Sequence, residues 1–107
     1  MFNLDRVIVE VDKGLRTLFS QAHSARAYPD ADVADGVLDA AQRKHAQGLM
    51  RVNHTGEICA QALYQGQALT ARSVEVQQKL QHAAVEETEH LAWTAQRVHE
   101  LGGHLSV

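Results

Sequence analysis

Residues 80–101 read LQHAAVEETEHLAWTAQRVHEL, and this stretch decides the fold. Positions 80, 84, 87, 91, 94, 98 and 101 alternate steps of four and three. That is the stripe an α-helix turns toward a packed neighbour. Its occupants are Leu80, Ala84, Glu87, Leu91, Thr94, Val98 and Leu101, all apolar or small except Glu87. A carboxylate in such a seam costs free energy unless it is paired or bound to a cation. His90, three residues further on, falls on nearly the same face.

Working outward, Arg72-Ser73-Val74 marks a break, with Ser73 as N-cap of a helix over about 74–101. Gly102-Gly103 ends it. Upstream, Asp39 and Gln42 have the spacing of a capping box, which opens a helix over about 40–71. Between Val52 and Ala71 the only formally charged residue is Glu57, with His54 beside it. So charge-poor a helix is expected to be buried on most sides, Glu57 included, with Gly56 and Gly66 allowing close approach. Asn3 caps a first helix of about 4–19, whose apolar face is Leu4, Val7, Ile8, Val11, Leu15 and Leu18. The mixed charge of its other face favours docking on the long helices over lying on a membrane. Residues 20–38 show no period and read as a loop or tether. The expected architecture is all-α, with an amphipathic helix and loop over 1–38 and an antiparallel helical hairpin over 39–107.

Composition narrows the function classes. Charged residues are 21% of the chain and the net charge is −3, with no basic stripe to suggest nucleic acid. No run approaches the roughly 20 apolar residues that span a bilayer. The N-terminus lacks the pattern of a signal peptide. A lone cysteine, Cys59, suits a reducing compartment and reads as a small buried residue.

Glu57 and Glu87 each lie 15 positions from residue 72, where the turn falls. At about 1.5 Å per residue, an antiparallel pair brings both to one level, about 22 Å from the turn, with His90 within a helical turn. One Glu from a helix and Glu-x-x-His from its neighbour is half of the ligand set of di-iron carboxylate bundles. Carboxylate and imidazole donors suit iron or manganese. Competing readings stay open. Glu86 and Glu89 fit a solvated face, and His82, Glu86 and His90 at i, i+4 and i+8 imitate a zinc-binding face. His45, His99 and His104 read as surface groups, and Tyr64 and Trp93 as core or interface aromatics. In function, a metal-buffering bundle and a purely structural hairpin for protein interaction stand beside an enzyme.

The run Gly48-Leu49-Met50-Arg51-Val52-Asn53-His54-Thr55-Gly56-Glu57 resembles the signature of the demethoxyubiquinone hydroxylases. So do Cys59 to Gln67 and the Glu87-Thr88-Glu89-His90-Leu91 motif at its spacing from Glu57. The resemblance implies a ferritin-like four-helix bundle, of which this chain is similar to the N-terminal half. It implies that Glu57, Glu87 and His90 are three of six iron ligands, Glu57 serving one iron and Glu87 bridging two. It further implies O₂-dependent hydroxylation of the ring of a polyprenyl benzoquinol, with peripheral contact at the cytoplasmic face of the bacterial inner membrane. In a eukaryote the corresponding place is the matrix side of the mitochondrial inner membrane. By that resemblance, the remaining ligands are expected on a C-terminal helix pair beyond this sequence. A two-fold homodimer would restore six ligands and a four-helix bundle, and closed two-fold association is the commonest oligomer type.

Overall fold

The computed structural model describes residues 3–106. Met1, Phe2 and Val107, at the outer limits of the two expected units, lie outside the described residues. Three helices follow in order: α1 (Leu4–Phe19), α2 (Ala40–Thr70) and α3 (Val74–Glu100). Both long helices stop one residue short of the ends expected from sequence. No strand occurs among the described residues.

Each helix starts where a side chain can accept the N–H groups that the first turn leaves free. Arg6 N–H donates to Asn3 Oδ1 at 3.2 Å, and Val76 N–H donates to Ser73 Oγ at 3.4 Å. At α2 the box closes both ways: Gln42 N–H donates to Asp39 Oδ1 at 2.8 Å, and Asp39 N–H donates to Gln42 Oε1 at 3.0 Å. Asp39→Ala is expected to cost about 1 kcal/mol in urea denaturation, and Asp39→Asn to recover most of it.

Only Ala71, Arg72 and Ser73 separate α2 from α3, so the two long helices fold back on each other as an antiparallel hairpin. At the far end α3 closes in a Schellman turn. Gly103 N–H donates to Val98 O and Gly102 N–H to His99 O, with Gly102 at φ 76°, a conformation that favours glycine. Gln47 of α2 donates its side-chain amide to Leu101 O, and a Cβ at Gly103 would meet the Gln47 side chain at 3.1 Å. The end of α3 is thereby fixed to the start of α2.

The expected seam is the contact line. Leu91, Thr94, Val98 and Leu101 are buried along it, Val98 completely, and Ala68 joins them from α2. Thr94 satisfies its hydroxyl by donating to His90 O at 2.8 Å. The molecule is long and thin, 57 × 25 × 17 Å, as two helices of this length require.

Three expectations fail. Within α2 only His54 and Ala68 are buried, while Leu49, Val52 and Leu63 are 58%, 73% and 58% exposed. A hairpin supplies one covered side, so low charge alone did not mean burial all round. Gly56 and Gly66 have nothing within 4 Å of where a Cβ would sit, so neither marks a close approach. Cys59 is exposed. The first helix does lie along α2, but polar groups make the link. Arg6 donates to the end carbonyls of α2 at Ala68 and Leu69, and Gln65 donates to Glu10 O at 2.8 Å. Leu4, Ile8, Val11 and Leu15 remain more than half exposed.

Candidate metal centre

The hairpin brings Glu57 of α2 beside Glu87 and His90 of α3. One side-chain donor atom from each of the three lies within 4.8 Å of the others. His90 Nδ1 is 3.0 Å from Glu87 Oε2 and 3.5 Å from Glu57 Oε2, so one ring nitrogen faces both carboxylates. In the Nδ1–H tautomer it donates to Glu87 Oε2. The three side chains are 22%, 14% and 39% exposed for Glu57, Glu87 and His90: withdrawn from water without being sealed off.

The electrostatics are those of crowded carboxyls. Burial, then the neighbouring Glu87 carboxyl, pushes Glu57 up to about 7, against a smaller opposing pull from His90. Two acids that resist sharing negative charge are stabilised by a proton or by a cation between them. Hard oxygen donors with one imidazole fit a divalent first-row metal.

Residues expected elsewhere sort themselves. His82 and Glu86 form an exposed pair at 3.2 Å, and the cluster that His90 joins contains neither. His45, His99 and His104 are exposed. Glu89, expected on the solvated face, is buried at 8% exposure. It accepts from Arg26 Nε at 2.6 Å and lies 3.2 Å from Ser24 Oγ, and the Arg26 hydrogen bond holds its carboxyl below the usual range. The loop over 20–38 is therefore held down on α3, and a second ion pair, Asp35 with Arg97 at 2.7 Å, ties its later part. Nothing periodic in the loop signals this.

His54 is the other residue that sequence reading undervalued. It is 6% exposed, and its Nδ1 is buried without a hydrogen-bond partner among the described residues. With Ile58, Leu91, Trp93 and Arg26 it lines a cleft of about 760 Å³ under the loop. Burial, then the nearby His99, holds its imidazole below the ordinary 6.5. The unfolded chain therefore takes up this proton first. Its contribution to stability is complete above that ordinary value and is lost as pH falls below it. His54→Leu is expected to gain stability relative to the parent chain as pH drops from 7.5 to 5.5, read as the difference in urea midpoints.

The fold and the cluster together define an all-helical protein carrying a carboxylate–imidazole group between two antiparallel helices. Comparison with known proteins names the family. Residues 44–107 match the family described as Ubiquinone biosynthesis protein COQ7, and the chain belongs to it. It is 64% identical over 104 residues to a 3-demethoxyubiquinol 3-hydroxylase of Chromobacterium violaceum, covering 97% of this chain and 50% of that protein. It is 58% identical over 103 residues to the protein of that name from Azoarcus sp. (strain BH72), covering 96% of this chain and 50% of the relative. For Nitrosospira multiformis the figures are 54% over 107 residues, 100% and 51%. The chain spans about half the length of the curated relatives it matches. No solved structure matches it.

Proposed function

We propose that this chain carries half of the metal centre of an O₂-dependent hydroxylase acting on the ring of demethoxyubiquinol in ubiquinone biosynthesis. The observation that carries the reading is the convergence of Glu57, Glu87 and His90 within 4.8 Å, in a chain of the COQ7 family. These three residues would hold iron. When bound, iron supplies the redox chemistry by which O₂ is activated. The chain's own part is to present two carboxylates and one imidazole nitrogen on two rigid helices. Burial and the adjacent Glu87 carboxyl push Glu57 toward its neutral form, and binding of a cation would release that proton.

A complete two-metal site takes six such ligands. A second copy of this chain, related by a two-fold axis, supplies the other three and covers the bare side of α2, where Leu49, Val52 and Leu63 stand exposed. Light scattering tests this: a well-folded monomer at high concentration, with or without Fe(II), argues against it. The half-exposed apolar residues of α1 support peripheral contact with the membrane that holds a polyprenyl quinol, at its cytoplasmic face in a bacterium. Among the described residues no helix is long and apolar enough to cross a membrane.

The decisive experiment is an anaerobic Fe(II) titration followed by O₂ exposure, with and without a short-tailed demethoxyubiquinol. Uptake of iron with quinol-dependent O₂ consumption supports the hydroxylase. Uptake without any response to quinol makes the chain a metal-binding bundle, and no uptake sinks the metal reading.

A further inference from the structure

The loop over 20–38 does more than close a side of the hairpin. Arg26 Nε meets the buried Glu89 at 2.6 Å, and its guanidinium carbon stands 5.1 Å from the centre of the Trp93 ring. The Trp93 ring in turn lies 5.6 Å, tilted by 45°, from that of His90. Those separations are within the range of cation–π and aromatic contacts. Glu89, Arg26, Trp93 and His90 thus form one continuous stack, beginning in a buried ion pair and ending on the imidazole that faces both carboxylates. Glu89 and His90 are successive residues of α3 and point to different sides of it, so only the loop and the indole connect them through space.

We propose that Arg26 and Trp93 are positioning residues for His90: the loop, anchored on Glu89, presses the guanidinium on the indole, and the indole fixes the tilt of the imidazole. An imidazole aimed by a second layer of side chains pays less ordering entropy when its nitrogen is used, and such outer groups commonly set affinity. The metal arm of the test rests on the proposed function; the first arm does not.

In the metal-free chain, the ring-proton NMR signals of His90 carry the ring current of Trp93. Arg26→Gln is expected to move them toward the positions they take in Trp93→Leu, with helix content by circular dichroism unchanged. Arg26→Lys keeps the charge beside Glu89 but loses the planar face and fixed fork, so it should fall between the parent chain and Arg26→Gln. Glu89→Gln should reproduce the Arg26→Gln shift, and the double variant should add little to either single change. Unmoved His90 signals in Arg26→Gln overturn the proposal, whether or not the chain takes up a cation. In the second arm, Co(II) binding is followed by quenching of the sole tryptophan. The midpoint in Arg26→Gln should rise about tenfold. A midpoint unchanged from that of a metal-binding parent chain also overturns it.

Discussion

Glu87→Gln is expected to abolish divalent cation uptake by this chain, with a fall in affinity of more than about a hundredfold, beyond what the loss of a merely supporting residue costs. Glu87 holds the nearer oxygen to His90 Nδ1, at 3.0 Å, and shares the cluster with Glu57. Its amide replacement keeps the shape and removes the charge. Two oxygen–nitrogen donors then remain on the hairpin, too few to retain a metal against water. The same position separates metal binding from a purely structural role through a second replacement. Glu87→Leu leaves Glu57 without its like-charged neighbour and removes a carboxylate from the seam. The metal-free chain should therefore unfold at higher urea than its parent, because crowded acid groups oppose folding. A chain evolved only to pair helices gains by that change and loses nothing. One built to hold a cation gains in stability and loses the metal. Inductively coupled plasma analysis of the purified variants, beside the urea curves, reads both. Metal content in Glu87→Gln equal to that of the parent chain would reject the assignment.

Val98→Asp is expected to unfold the hairpin. Val98 is fully buried where α3 meets α2. A carboxylate there loses its water and finds no cationic partner, at a cost of several kcal/mol. A domain of this size has about 5–15 kcal/mol in total, and a thin hairpin with exposed flanks belongs at the low end. Circular dichroism should show loss of most helical signal at 25 °C. Val85→Asp is the control: Val85 is 60% exposed on the same helix, and its replacement should stay within about 0.5 kcal/mol. Retention of a cooperative transition by Val98→Asp would mean that the seam is not what holds the helices together.

What could be read from sequence was local or strictly geometric. Asn3, Asp39 with Gln42, Ser73 and Gly102 act on backbone groups a few residues away, so their roles are written beside them. The levelling of Glu57 with Glu87 follows from helical rise and the place of the turn, which one chain supplies. Tertiary cover was illegible. Glu89 sits off the seam by helical angle and reads as a wet residue, yet a loop arginine 63 positions earlier buries it. His54 looked like a neighbour of Glu57 and proved to be one of only two buried residues in α2. Cys59 and Leu63 sit in a charge-poor run that reads as interior, yet both stand exposed. Composition records what a surface can tolerate, and the rest of the molecule decides whether anything covers it.

The two ties of the 20–38 segment have opposite polarity. At the first the segment gives the cation and α3 the anion, in Arg26 and Glu89; at the second Asp35 gives the anion and Arg97 the cation. A segment displaced by two helical turns would set Arg26 against Arg97, and one laid down in reverse would oppose like charges at both places. The arrangement works as a keyed fastening that admits one direction of travel along the helix. Raising ionic strength should loosen its exposed Asp35 end first, leaving the key engaged at the half-hidden Glu89 end.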